Sequence, residues 1–310
     1  MEFLRYLASI RTPLGEKIFY YLTYFGEEMM ILGLVGIVFW CVDKKLAYRM
    51  TFSYLLTAFT INLIKITCRI ERPWIRDPEF KAVEKAKASA TGYSFPSGHT
   101  QGAVSMYGTL AYKTRRIWLK IIFFVLIGLV MLSRMYLGVH TPEDVLASCA
   151  ISAVIVIVLN IIADKTELNP KRKLMVICGV IVLAVIYVTY SVILMLSGKI
   201  LYSNVSDGCK GIGAGLALVL GWYIEPKYID FDTKCKNIWM QILKAVIGAG
   251  GVFLIRSGIK ALFDANIVVD MIRYFLMMSW AFIAMPLIIK EFFQIKPEIK
   301  PEINNGEQSK

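Results

Sequence analysis

Long aliphatic runs alternate with short polar punctuation along this chain, and the runs are too long for the strands or amphipathic helices of a soluble core. Apolar stretches long enough, or nearly long enough, for a spanning helix lie at roughly 27–42, 46–66, 99–113, 118–137, 143–163, 174–197, 211–225, 237–255 and 270–289. The pattern predicts an all-α fold, a polytopic membrane helical bundle of about nine spans. Residues 1–25 read differently. Arg5, Arg11, Glu16 and Lys17 interrupt Phe3, Leu4, Leu7, Ile10, Phe19, Tyr20 and Tyr21, and Pro13 and Gly15 punctuate the middle. This predicts an amphipathic segment lying in the membrane interface. The other reading, a tenth and poorer span over residues 3–25, would move the N-terminus across the membrane. No uninterrupted apolar core followed by small residues is present, so a cleavable signal peptide is not expected. Residues 291–310, polar and punctuated by Pro297 and Pro301, read as a disordered tail.

Composition agrees with the pattern, since 57% of the residues are apolar and only 19% charged. Charge then orients the bundle. Four short loops are basic: Lys44, Lys45 and Arg49; Lys113, Arg115, Arg116 and Lys120; Lys165, Lys171, Arg172 and Lys173; Lys227, Lys234 and Lys236. With nine spans these loops and the tail fall on one face, which the positive-inside rule makes cytoplasmic. The segment 67–98 and the connections near 138–142, 198–210 and 256–269 then lie outside. The net charge of +12 is mostly this topology signal. It would also favour anionic headgroups of membrane lipids. No aromatic-basic interleaving of the kind a nucleic-acid platform requires is present, so no nucleic-acid partner is expected. The six cysteines have no paired short spacing, which gives no zinc or redox motif. Cys68 and Cys209 fall near one face, but a free buried thiol is the commoner use and a bridge is not expected.

The two histidines, the only ones in 310 residues, both lie on the outer face inside polar clusters. Histidine titrates nearest neutral pH and is the usual choice for nucleophilic and acid-base chemistry. Three strings converge at neighbouring helix ends. They are Lys65-x6-Arg72-Pro73, then Pro96-Ser97-Gly98-His99, then Ser133-Arg134-x5-His140-x3-Asp144. Lys65, Arg72 and Arg134 could be snorkelling anchors. They stand, however, on the face that positive charge avoids, where a membrane-embedded cation points to function. Arg69, Arg76, Lys81, Lys85 and Lys87 are mixed with Glu71, Asp77, Glu79 and Glu84 and read as a solvated loop. Pro96-Ser97-Gly98 reads as a helix start, whose free N–H groups, open Gly98 backbone and Ser97 hydroxyl can cradle a phosphate. Thr141-Pro142-Glu143-Asp144 is a second helix start. Asp144 either caps that helix or accepts the His140 ring N–H, leaving the other ring nitrogen as nucleophile.

The three strings resemble the signature of the type 2 phosphatidic acid phosphatase (PAP2) superfamily of lipid phosphatases, with every signature position filled over roughly residues 60–150. The resemblance implies a PAP2-like catalytic membrane core over residues 26–163, with additional transmembrane helices over 164–290 that match no motif of known role. It implies His140 as nucleophile through a phosphohistidine, Asp144 as its orienting partner, and His99 as proton donor and then base. Lys65, Arg72 and Arg134, with Ser97 and the Gly98 N–H, would hold the phosphoryl oxygens. No carboxylate cluster suited to two magnesium ions stands on the outer face, so no metal and no cofactor are expected. A site at the membrane surface suits a lipid phosphate or polyprenyl diphosphate: phosphatidic acid, phosphatidylglycerol phosphate or undecaprenyl diphosphate. The expected setting is a bacterial plasma membrane, with the active site on the extracytoplasmic face. A soluble ester such as a sugar phosphate stays open as substrate. So does a different class, a transporter of an anionic amphiphile, in which Gly211, Gly213, Gly215, Gly248, Gly250 and Gly251 would break helices; close helix packing is the other reading of those glycines.

Overall fold

Helix caps set the element boundaries. A computed structural model of the chain describes residues 1–165, 170–264 and 266–294, and these are helical without a strand. The long elements are α1 (Glu2–Ser9), α2 (Pro13–Leu22), α3 (Glu28–Cys41), α4 (Lys44–Cys68), α5 (Gly98–Lys113), α6 (Ile117–Tyr136), α7 (Pro142–Lys165), α8 (Pro170–Leu196), α9 (Tyr202–Ile224), α10 (Ile238–Leu262) and α11 (Ile267–Ser279). The side chains of Asp43, Ser97, Asn237 and Asn266 accept the N–H groups of Leu46, Thr100, Met240 and Val269, so each satisfies an orphan donor of a first turn. At the far end of α4, Arg69 turns left-handed (φ 53°) and its N–H returns to the Lys65 carbonyl at 2.9 Å. That turn sends the chain back over the bundle end where Lys65 sits.

All nine expected spans correspond to helices, α3 to α11, but six segments are long and apolar enough to cross a membrane. A seventh counts if Pro13–Gly26 and Glu28–Cys41, bent by 49°, form one span. The three that fall short do so for physical reasons. With 14 and 16 residues, α3 and α5 reach only about 21 and 24 Å at 1.5 Å per residue, against a core of about 30 Å. In α9, which begins nine residues before the expected span, Asp207 and Lys210 lie within the helix. The polar content of α5 is inward. Thr100, Gln101, Ser105 and Thr109 are buried, and Gln101 donates to the Tyr54 carbonyl (3.1 Å) and to Thr57 Oγ1 (2.7 Å) of α4. Ile121, Phe124, Val158, Val185 and Ile186 face outward instead, which suits a helix wall bathed in lipid.

The N-terminal helices lie across the site end of the bundle. Leu4 and Leu7 are buried, Leu4 against Phe80, Leu137 and Val139; Arg5 pairs with Asp77 (2.7 Å); Arg11 donates to the carbonyls of Tyr136 (2.8 Å) and Lys81 (2.6 Å). Both short helices therefore dock on one end. At the opposite end Lys44 pairs with Glu225 (2.9 Å) and Asp230 (3.0 Å), while Arg49 and Lys113 share Asp164. The final helix runs on through wider turns to Phe293, three residues into the stretch read as tail. Residues 295–310 lie outside the described residues. Cys68 and Cys209 are both free.

Glycines bring the last helices together without breaking them. A Cβ on Gly213 would strike the Met271 carbonyl of α11, one on Gly248 the Trp40 ring, and one on Gly251 the Trp280 ring. Both α9 and α10 run unbroken past these positions. Gly250 faces open space. Gly213→Ala should therefore lower stability in detergent by about 1–3 kcal/mol, through forced separation of α9 and α11. Gly250→Ala should be neutral or stabilising by up to about 1 kcal/mol. Denaturant or thermal midpoints of the two variants check this, and equal effects would show that close packing is not the role of Gly213.

Candidate active site

One carboxylate organises the site. Asp144, in the first turn of α7, is almost fully buried (2% exposed). Its Oδ2 accepts the Ser94 hydroxyl (2.5 Å) and the Thr141 N–H (2.8 Å), and lies 3.3 Å from His140 Nδ1. The Asp144 N–H returns to Thr141 Oγ1 at 3.4 Å, so the cap exists together with the histidine contact. The Asp144 backbone carbonyl accepts the Ser97 N–H (3.1 Å), and Ser148 donates to the Ser97 carbonyl (2.7 Å). The Pro-Ser-Gly-His turn and the α6–α7 turn are thereby joined.

Arginine geometry fixes the histidine tautomer. Arg72 Nη1 lies 2.9 Å from His140 Nε2 and also donates to the Val139 carbonyl at 3.1 Å. A guanidinium has donors and no acceptor, so Nε2 must offer its lone pair and Nδ1 must carry the proton toward Asp144. Burial, and then the charges of Arg72, Arg134 and Lys65, hold the His140 ring well below the ordinary histidine pKa, which keeps it neutral. The remaining Arg72 nitrogens donate to the carbonyls of Gly92 (3.0 Å) and Thr91 (2.6 Å). Lys65 Nζ donates to the Tyr93 carbonyl at 2.8 Å. The segment 91–94 thus holds two of the cations and, through Ser94, the carboxylate.

Arg134 is the unusual member. It is fully buried, it donates through Nη1 to Thr23 (2.9 Å), and its Nε and Nη2 have no hydrogen-bond partner among the described residues. A buried guanidinium with two free donors is costly unless an acceptor joins it. Arg134, Lys65, Arg72, Gly98, His99 and His140 all line one cavity of about 270 Å³. The arrangement can hold a tetrahedral anion against three cations with a neutral imidazole lone pair facing it. Ser97 stands apart. Its side chain is fully buried, off the cavity wall, and caps α5 through the Thr100 N–H at 3.4 Å.

Further residues belong to the site. Ser94 holds Asp144 from outside the cavity wall. Glu27, at the cap of α3, Glu28 of α3, and Asp207 and Lys210 of α9 line the cavity itself. Asp207 accepts Thr91 Oγ1 (3.2 Å) and Lys210 Nζ (2.8 Å), and Thr91 is the residue whose carbonyl holds Arg72. A signal for them existed, because charges inside an apolar helix are functional by default. For Asp207 and Lys210, reading 198–210 as a loop hid it. Among the described residues no group of three or more His, Cys, Asp or Glu side chains is placed to hold a metal ion.

Comparison with known proteins gives concordant matches. Residues 46–168 match the PAP2 superfamily model, and residues 209–296 match a second model described as the PAP2 superfamily phosphatase transmembrane extension. A phosphatidylglycerophosphatase B of Bacillus subtilis is 28% identical over 44% of this chain and 70% of its own length. The human sphingosine-1-phosphate phosphatase 2 is 27% identical over 45% of this chain, and the undecaprenyl-diphosphatase BcrC of B. subtilis 39% over 21%. The chain spans only 36% and 33% of the lengths of these two relatives. Two crystal structures align: a transmembrane PAP2-type phosphatidylglycerolphosphate phosphatase from B. subtilis (22% identity, TM-score 0.46, 54% of this chain and 86% of that one), and Aquifex aeolicus LpxE (23%, 0.41, 51% and 93%).

The free donors of Arg134 generate a binding test. Inorganic phosphate should raise the thermal midpoint of the purified protein, by an amount worth about 2.7 kcal/mol at a hundredfold excess over Kd. Arg134→Met should abolish most of that shift while leaving the ligand-free protein as stable as wild type or more so, because a buried guanidinium with two unbonded nitrogens is gone. A phosphate shift of wild-type size in the variant would remove Arg134 from the anion site.

Proposed function

The chain belongs to the PAP2 superfamily of membrane phosphatases, and on that premise we propose that it hydrolyses a lipid phosphate or polyprenyl diphosphate through a phosphohistidine. One observation carries this reading. A neutral His140 lone pair and a buried guanidinium with two unbonded donor nitrogens share a cavity with two further cations. Nothing in a purely structural ion network requires that combination, whereas an incoming phosphate meets all of it at once.

The chemistry follows from the placement. His140 Nε2 attacks phosphorus and forms a P–N bond as the ester P–O bond breaks, with the Nδ1 proton held toward Asp144. His99 gives its proton to the departing oxygen, so an alcohol leaves neutral and a lower phosphate leaves with one negative charge fewer. Water then attacks the phosphohistidine, His99 takes the water proton, and the P–N bond breaks to release inorganic phosphate and restore His140. Lys65, Arg72, Arg134 and the Gly98 N–H balance charge on the phosphoryl oxygens. Engaging phosphate requires Arg72 Nη1 to turn from the His140 lone pair to a phosphoryl oxygen, so substrate binding and nucleophile release coincide. Positive charge supplied by side chains replaces that of metal ions. The basic loops at the other end of the bundle support an extracytoplasmic site by the positive-inside rule.

His140→Ala should lower phosphate release by at least about 10³-fold on a panel of phosphatidic acid, phosphatidylglycerol phosphate, isoprenoid diphosphates and a sugar phosphate. Hydrolysis retained in that variant would exclude His140 as nucleophile. No hydrolysis by the wild type on any of these compounds would favour transport instead. Wild-type activity should also survive EDTA; loss on chelation that magnesium restores would overturn the metal-independent mechanism.

A further inference from the structure

A second cavity, of about 280 Å³ and walled almost wholly by apolar side chains, lies between α4, α8 and α9. It adjoins the candidate active site, because Leu55, Phe59 and Gly211 line both. The two cavities meet at Gly211, where adjacent faces of α9 divide: Asp207, Lys210 and Gly211 look into the polar cavity, while Gly211, Ile212, Gly215 and Leu218 look into the apolar one. A Cβ at Gly211 would meet nothing within 4 Å, and one at Gly215 only Val180 at 3.9 Å. A phosphate held by Lys65 lies six residues along α4 from Phe59, about 9 Å at 1.5 Å per residue. That is within reach of a hydrocarbon chain attached to it.

We infer that this groove takes the hydrocarbon tail of the phosphorylated substrate, so that α9 selects for a long-tailed amphiphile. The inference rests on the phosphatase reading above and adds the part of the substrate that the phosphate site does not see. Its occupant follows from continuity. A phosphate bound inside the bundle drags its tail with it, and the tail must leave between helices or be excluded. Between α4 and α5 the Gln101 hydrogen bonds close the wall. Between α4 and α9 the wall is apolar and opened by glycine. Lipid tails are as apolar as the groove, so its contribution is a path and an orientation, and a side chain placed there acts by obstruction.

The test compares kcat/KM in one detergent on phenyl phosphate, which has no tail, with kcat/KM on dioleoyl phosphatidic acid and a long-chain polyprenyl diphosphate. The readout is the ratio of tailed to tailless substrate. The wild type should prefer at least one tailed substrate. Gly215→Leu, and independently Gly179→Leu on the α8 wall where a Cβ also meets nothing, should each lower the ratio by about tenfold or more. Gly215→Ala should keep it. An unchanged ratio in both leucine variants overturns the inference and leaves the groove to ordinary membrane lipid. A wild type that hydrolyses phenyl phosphate with no preference for a tail overturns it too, while the phosphatase reading stands. A wild type that hydrolyses none of the three removes the phosphatase reading, and the groove assignment falls with it.

Discussion

A carboxylate buried inside an apolar bundle needs partners, and Asp144 Oδ2 finds three of them while the residue joins the stretch 94–97 to the turn 140–144. Ser94 reaches it from the segment that follows α4, Thr141 and His140 from the α6–α7 turn, and its own backbone carbonyl receives the turn that opens α5. Each partner thereby inherits a fixed place. The Thr91–Ser94 stretch, held at one end by this carboxylate, in turn offers its carbonyls to Arg72 and Lys65. The positions of two of the three cations thus derive from the position of one anion. Removal of the carboxylate would leave the buried Ser94 hydroxyl and the Thr141 N–H without the acceptor they share.

Much of the fold was legible in the sequence, and for a plain reason: a bilayer demands runs of aliphatic residues, so each helix from α3 to α11 announces itself by composition. What composition could not convey was where a helix turns inward. The early start of α9 was missed because Asp207 and Lys210 look like loop residues when read linearly, although both face a polar cavity within the bundle. The length of α5 misleads in the opposite way, since its Thr and Gln residues are polar for the sake of α4 and not of water.

The candidate site divides along similar lines. His99, His140, Asp144, Lys65, Arg72 and Arg134 stand in spaced motifs and converge as the spacing suggests. Asp144 shows that the alternatives weighed for it were not exclusive, since one carboxylate oxygen serves both the cap and the imidazole. Ser94 and Thr91 were invisible, because a serine or threonine in a polar loop has no signature until the loop is folded back. Ser97 had the signature of a phosphate donor, yet its hydroxyl serves the helix N-terminus. Local pattern identifies which residues can do chemistry, and only the packing of distant segments decides which way they point.

The contact between Arg72 and His140 has a consequence for the resting protein. An imidazole nitrogen that accepts a guanidinium hydrogen bond has its lone pair engaged, and a buried ring flanked by fixed cations repels any approaching positive ion. Soft metal ions and cationic alkylating reagents, which seek that same nitrogen, therefore find it guarded by charge as well as by enclosure. An anion alone carries the charge that draws the guard aside.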